Sequence, residues 1–311
     1  MAGCDVLLFG TMSDIGPTVR DDLAGHGLDV VLVDFAQNTP RDFWGYDRGL
    51  RKAIETYSPR AVIPIGNTLF ISRIAHELGD PAVLAAAPEA VELLDSKVRT
   101  YGLAEELGIL QPRRFTFEEI QAQEKAYAEN SAAAADLRED IGVIFKRDTS
   151  FGGSGVHRPR SLDSLRHLIE HENGTPYLIE EYISGEDLSV DCIRAEGYFR
   201  GESYVSLGRV YTQGPAVERR RTDCPAAVAV CRRILDHLDY RGVCGFDFRL
   251  TPDGRLFLLE ANPRLTGGLK TQLAGGFDIP AELLVHLAHA NARVPHKSTI
   301  IIKQIQNEKN H

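Results

Sequence analysis

The stretch GFDFRLTPDGRLFLLEANPR, residues Gly245 to Arg264, decides how the rest of the chain is read. Two runs of alternating residues flank Pro252, Asp253 and Gly254, which have the chemistry of a tight turn, so the stretch predicts a β-hairpin. Loop length sets which side chains share a face. A two- or four-residue loop puts Phe246, Phe248, Leu250, Phe257, Leu259 and Ala261 on one wholly apolar face. Asp247, Arg249, Glu260 and Asn262 then occupy the other. A three-residue loop with a glycine bulge, which Pro-Asp-Gly also permits, mixes Glu260 and Asn262 with the phenylalanines. The cleaner segregation favours the first register.

On that register Asp247 and Glu260 face each other, and Glu260 and Asn262 point the same way. Carboxylates facing across strands repel. A half-buried pair needs a cation, or one member must keep its proton. Oxygen donors without thiolate or imidazole suit a hard ion, and Mg²⁺ takes one or two carboxylates plus phosphate oxygens. A hairpin with a solvated acidic face is the other reading, and this stretch alone leaves both open.

At 311 residues with 43% hydrophobic content the chain can bury more than one core, so several domains are expected. A net charge of −9 argues against nucleic-acid binding, which draws its affinity from Lys and Arg. The five cysteines (Cys4, Cys192, Cys224, Cys231 and Cys244) are scattered with no CxxC, which suits a reducing compartment rather than a disulfide framework. No basic region precedes the first short apolar run, and no uncharged run approaches the roughly 20 residues of a membrane helix. A cytoplasmic, globular protein away from membranes is the expectation. Its ten histidines give no zinc pattern: His167/His171 and His286/His289 have helical spacing but no nearby third ligand.

From the N-terminus, strands at 5–9, 29–34 and 61–65 alternate with helices from about Asp14, over 47–57 and over 68–78, the order of a parallel sheet with helices on its faces. The first turn, Gly10 to Gly16, reads GTMSDIG and fails the dinucleotide fingerprint, although Asp34 ends the second strand. Residues 1–90 therefore read as a Rossmann-like module that does not bind NAD. A helical stretch runs from Pro88 to Gly108, with Lys97 in a first turn after Asp95 and Ser96. A lysine at a helix N-terminus opposes the dipole, an anomaly that a phosphate shared by Lys97 and the helix end would resolve.

Helix is expected over 118–137, then a strand at 142–146 ending on Lys146 and running into a loop with Gly152, Gly153, Ser154 and Gly155. Small residues let backbone N–H groups approach an anion while Lys146 adds charge. The Walker spacing is absent there and at Gly267–Thr271. A helix over 161–171 and a strand over 177–183 follow, then a turn at Gly185 leading past Asp187 into the next strand. Residues 198–210 alternate as a strand, and 213–222 read as a loop whose Arg219, Arg220 and Arg221 could steer an anion or close as a lid. Helices over 225–238, capped by Thr222 or Asp223, and over 279–291 complete the pattern.

Taken in order, Lys97 at a helix start, Lys146 before a glycine-rich loop, the run IEEYISGED from Ile179 to Asp187, and Asp247 with EANPR from Glu260 to Arg264 resemble the ATP-grasp superfamily of ligases. The resemblance covers residues 90 to 290 or so, and the N-terminal module is similar to the domain that precedes such a core. It implies a fold of α/β and α+β class: a Rossmann-like domain (1–90), then a two-subdomain ATP-grasp core. The small subdomain (91–183) would carry the glycine-rich loop and the large one (184–311) the magnesium site.

The resemblance also implies roles. Adenine would meet Glu180 and the backbone around Glu181 and Ile183, and ribose would meet Asp187. Lys97, Lys146 and Gly152, Gly153, Ser154 and Gly155 would hold phosphates. Asp247, Glu260 and Asn262 would bind Mg²⁺, or Mn²⁺ in its place, and Arg264 would join Lys146 as a catalytic charge.

The implied chemistry is that of an ATP-dependent carboxylate–amine ligase, which makes an acyl-phosphate on a small-molecule carboxylate, an amino acid among the candidates, before an amine attacks. Rivals are an ATP-dependent carboxylase or acyl-phosphate kinase, and a nucleotide-binding regulator without turnover. The carbamoyl-phosphate-synthetase branch is the most similar, yet Arg264 is followed by Leu-Thr-Gly-Gly and there is one core, against such a synthetase. Gly245 stands where D-alanine–D-alanine ligases carry arginine. A symmetric dimer is the default assembly.

Overall fold

Strand β1 (Val6–Gly10) is buried along its whole length, as a central parallel strand covered on both faces must be. It lies between β2 (Val30–Asp34) and β3 (Ala61–Ile65) in the parallel order β2-β1-β3. The connecting helices are α1 (Ile15–Gly25), α2 (Phe43–Tyr57) and, after β3, α3 (Thr68–Leu78). Tyr46 and Leu50 of α2 and Ile71 and Ile74 of α3 pack on Leu7, Phe9 and Val62. The structure is a computed structural model that describes residues 3–10, 15–25, 27–34, 43–65, 68–78, 85–130, 140–150, 153–195, 198–207, 218–264 and 266. The helix expected over 279–291, Gly152 and the stretch Gly267–Thr271 lie outside the described residues.

The helical stretch after Pro88 is two helices, α4 (Pro88–Asp95) and α5 (Lys97–Glu106), rather than one. Ser96 is extended (φ −93°, ψ 119°), and its hydroxyl accepts from the Arg99 N–H to cap α5. A four-stranded sheet follows, with β4 (Arg114–Phe115), β5 (Val143–Arg147), β6 (Val156–His157) and β7 (Tyr177–Glu181) in the order β4-β7-β5-β6. Its apolar face holds Val143, Phe145 and Ile179 against Ile120 of α6 (Phe117–Asn130) and Leu165 of α7 (Leu162–Glu172). Ser161 and Ser164 form a capping box at the start of α7, and Asn173 ends it in the left-handed region (φ 47°).

A further core lies under a five-stranded sheet of β8 (Glu186–Ala195), β9 (Tyr198–Leu207), β10 (Glu218–Thr222), β11 (Gly242–Leu250) and β12 (Leu256–Asn262), ordered β10-β9-β8-β11-β12. Helix α8 (Pro225–His237) lays Ala227, Cys231, Ile234 and Leu235 on it. Two expectations change here. Residues 218–222 are a strand paired with β9, because Arg221 sits opposite Tyr204 in a regular ladder instead of looping free. The N-cap of α8 is Cys224, which makes no side-chain cap bond, so neither Thr222 nor Asp223 caps it; Pro225 at the first position needs no donor partner.

The deciding hairpin uses both candidate registers. Near the turn, Leu250 pairs with Leu256, Arg249 with Phe257 and Phe248 with Leu258, around a loop of Pro252, Asp253 and Gly254. The Gly254 N–H closes the turn on the Thr251 carbonyl at 2.9 Å, and Gly254 takes φ 82°, a position that favours glycine. The register then shifts between Asp247 and Phe248, leaving Leu259 as the extra residue. Beyond the shift Asp247 faces Glu260 and Gly245 faces Asn262. The three-residue glycine turn is present, and a second irregularity cancels it before the carboxylates. In consequence Leu258 joins Phe246, Phe248 and Ala261 in the core, and the expectation of Leu259 and Phe257 on that face is corrected.

Candidate active site

Side chains that point away from this core share one polar face. The registers align Glu260, Asp247, Ser189, Tyr204 and Arg221 in one row across all five strands. Asp247 and Glu260 are joined through Asn262, whose amide nitrogen lies 3.3 Å from Asp247 Oδ2 and 3.4 Å from Glu260 Oε1. The Ser189 hydroxyl donates to Asp247 Oδ1 at 2.7 Å, and Arg264 Nη2 donates to Asn262 Oδ1 at 3.0 Å. These four predicted residues are thus brought together. Two carboxylates form a hard donor set that fits Mg²⁺ or Mn²⁺, and Asn262, whose amide nitrogen faces them while its oxygen accepts from Arg264, would add an oxygen by turning its amide over. Among the described residues no three His, Cys, Asp or Glu side chains gather into a metal cluster, so any cation here rests on two acidic groups and the amide.

Helix α5 brings the first cation. Lys97 is buried, and its Nζ lies 3.3 Å from Glu260 Oε2. Burial works against ionising Glu260, but Lys97 and Lys146, with hydrogen bonds from Lys97 and Asn262, outweigh it and hold the carboxyl below its usual value. The helix end is not open to a phosphate. The Asp148 carboxylate accepts from the Val98 N–H at 2.8 Å and from the Ser96 hydroxyl at 3.0 Å, so the anion favoured at this N-terminus comes from the chain itself.

Lys146 is the second cation. Its Nζ is 2.6 Å from Glu180 Oε1, with both groups buried in the four-stranded sheet. Tyr101, one turn after Lys97 on α5, donates to Glu180 Oε2 at 2.7 Å and lies 3.1 Å from the Leu259 carbonyl. Lys146 Nζ is 3.4 Å from both that carbonyl and the Tyr101 hydroxyl. Burial, reinforced by the Glu180 carboxylate, keeps the Tyr101 hydroxyl protonated. Sequence reasoning missed Tyr101, Asp148 and Ser189. Spacing offered a signal for Tyr101 alone, because a residue four after Lys97 shares its helix face.

The remaining predicted residues spread along the margin of this group. The Arg147 N–H meets the Gly155 carbonyl at 2.8 Å, closing the base of the glycine-rich loop. A Cβ at Gly155 would lie 2.7 Å from Arg147 Cβ, so the closure excludes other residues. Gly153 has φ 75°, Ser154 is exposed, and the Lys97 ammonium reaches the Ser150 hydroxyl at 3.3 Å. Glu181 exchanges bonds with Arg113, its N–H to the Arg113 carbonyl and its carboxylate from the Arg113 N–H, while Ile183 is half-buried beyond β7. Asp187 forms an ion pair with Arg249 at 3.0 Å, and Arg249 also donates to the Gly185 carbonyl. Arg221 pairs with Glu202 at 2.7 Å, Arg220 is exposed, and the side chain of Arg219 is outside the described residues.

A five-stranded sheet bearing paired carboxylates, a four-stranded sheet bearing a lysine and a glycine-rich loop, and a helix joining them give a fold similar to that of known ligases and carboxylases. Residues 173–308 match the family described as "ATP-grasp in the biosynthetic pathway with Ter operon". The chain is 24% identical over 217 residues to the arginine-specific carbamoyl phosphate synthase large chain of Bacillus subtilis, an alignment covering 64% of this chain and 19% of that one. It thus spans about one fifth of that relative's length.

Among solved structures it is similar to the biotin carboxylase domain of Hydrogenobacter thermophilus 2-oxoglutarate carboxylase, in complex with MgADP (TM-score 0.65, 14% identity, covering 90% of this chain and 68% of that one). It is also similar to D-alanyl-alanine synthetase A of Vibrio cholerae (TM-score 0.62, 14% identity, covering 99% and 98%). Among the described residues no helix is long and apolar enough to cross a membrane.

Proposed function

We propose that the chain is an ATP- and Mg²⁺-dependent carboxylate–amine ligase acting on small molecules in the cytoplasm. One observation carries the reading: Asp247, Glu260 and Asn262 converge on one surface, with the buried Lys97 ammonium on Glu260. In this reading residues 1–90 precede a core of two subdomains, 91–183 and 184–311. Glu180 and the backbone of Glu181 and Ile183 take the adenine, and Asp187 takes the ribose. Lys97, Lys146 and the loop Gly152–Gly155 take the phosphates. Asp247, Glu260 and Asn262 would hold Mg²⁺, which when bound supplies charge neutralisation at phosphate oxygens.

Phosphoryl transfer needs positioning and charge more than a covalent nucleophile. Arg264, held by Asn262 beside the carboxylates, would offset charge on the transferred phosphoryl. The substrate carboxylate becomes an acyl-phosphate that an amine then attacks. The D-alanyl-alanine synthetase likeness supports an amino acid as the carboxylate.

Isotope exchange between ADP and ATP that requires an added carboxylate tests the reading, and ADP release across carboxylate–amine pairs identifies the substrates. Glu260→Gln should lower ADP formation by at least about 100-fold. Normal turnover in that variant would reject the assignment.

A further inference from the structure

Leu259 is the residue that the β11–β12 ladder leaves over, and it immediately precedes Glu260. Such a residue is held from outside the ladder or not at all. Its carbonyl lies 3.1 Å from the Tyr101 hydroxyl and 3.4 Å from Lys146 Nζ. The Tyr101 hydroxyl also lies 2.7 Å from Glu180 Oε2. One hydroxyl has one proton to give. The shorter bond, to a carboxylate, is the stronger claimant, so the Leu259 carbonyl takes second place while Glu180 accepts from Tyr101.

We propose that Tyr101 is a positioning residue that couples base binding at Glu180 to cation binding at Asp247, Glu260 and Asn262. When Glu180 accepts from another donor, the Tyr101 proton turns to the Leu259 carbonyl. The Leu259 carbonyl, which Lys146 reaches at 3.4 Å, then gains a second donor, and the bulge that places Glu260 opposite Asp247 is fastened more firmly. The inference rests on the reading above, in which that donor is the amino group of adenine. No proton leaves Tyr101; only its hydrogen-bond partner changes. Because the coupling is between two binding equilibria, it acts equally in both directions.

The experiment uses the full chain, Mn²⁺ as the probe followed by electron paramagnetic resonance, and adenosine, which has no phosphate with which to touch the cation. In the wild type adenosine should tighten Mn²⁺ binding about 5-fold, and Mn²⁺ should tighten adenosine equally. Purine riboside, which lacks the exocyclic amine, should bind without tightening Mn²⁺. Tyr101→Phe keeps the ring in the core and removes the hydroxyl, so Mn²⁺ affinity in that variant should no longer respond to adenosine. A retained 5-fold response in Tyr101→Phe, or an equal response to purine riboside in the wild type, would overturn the coupling. The purine riboside arm needs no variant to fold. Mn²⁺ binding unchanged by Glu260→Gln would remove the cation site itself, whereas its loss in Glu260→Gln beside an unaltered Tyr101→Phe removes the coupling alone.

Discussion

The four-stranded and five-stranded sheets solve the same electrostatic problem in opposite ways. In the four-stranded sheet Lys146 of β5 and Glu180 of β7 sit diagonally across adjacent strands, so opposite charges meet at 2.6 Å within one sheet. The five-stranded sheet sets like charges opposite each other, Asp247 against Glu260 and Asp191 against Glu202. Directly opposed like charges destabilise a ladder. Glu202 is met within the sheet by Arg221 of β10, but the other partners come from elsewhere: Lys97 from α5 to Glu260, Arg264 from the chain after β12 to Asn262, and Thr266 to Asp191 at 2.8 Å. The Lys146–Glu180 pair is complete within its own sheet, whereas the Asp247–Glu260 pair is completed by what docks on it. Helix α5 therefore matters out of proportion to its length, since Lys97 and Tyr101 on one face reach both sheets.

The most damaging way to break this comparison is to make the complete sheet incomplete. Lys146→Met leaves the Glu180 carboxylate, 2% exposed, without its cation. Breaking a buried pair from one side costs about 3–5 kcal/mol, whereas replacing both partners is often close to neutral. Chemical denaturation of Lys146→Met should show a loss of that size, and Lys146→Met with Glu180→Gln should recover most of it. A single variant that costs less than about 1 kcal/mol would mean that the charges of this sheet are not self-contained.

The hairpin separates what the sequence reveals from what it hides. Alternation around Pro252–Gly254 reveals a two-stranded ribbon with Asp247, Glu260 and Asn262 on one side, because period 2 is written directly in residue order. It hides the way this is achieved. A pattern can count residues but cannot distinguish an even loop from an odd loop followed by a bulge, since both return the same parity at the site. The cost of that ambiguity falls between the turn and the site, on Leu258 and Leu259. Leu258→Ala should remove about 2–5 kcal/mol, as a fully buried leucine does, and Leu259→Ala less than about 1 kcal/mol. The reverse order would restore the uniform register and dissolve the bulge. The long-range partners were illegible for another reason: Asp148 meets Ser96 across 52 residues and Tyr101 meets Glu180 across 79, and no local period encodes such contacts.

The gentlest probe of the comparison lies at the rim of the four-stranded sheet, where Arg147 grips Glu172 by Nε at 2.7 Å and Nη2 at 2.8 Å. This fork fixes the strand whose N–H closes the glycine-rich loop at Gly155. The Arg147 hydrogen bond, against some loss of hydration, holds the Glu172 carboxyl below its ordinary value of 4.5. A carboxyl whose folded value is depressed adds stability that is present above its unfolded value and is lost as pH falls through the folded one.

Denaturation midpoints of the wild type and Glu172→Gln should therefore differ by a constant amount near neutral pH, with the wild type higher, and converge as the solution is acidified below the ordinary glutamate range. Because the Arg147 side chain is 38% exposed, solvent and salt screen the pair, and the gap should be the smallest of the three and should narrow with ionic strength. A gap that persists unchanged into acid would show that Glu172 works by shape and neutral hydrogen bonding. The four-stranded sheet would then owe its completeness to Lys146 and Glu180 alone.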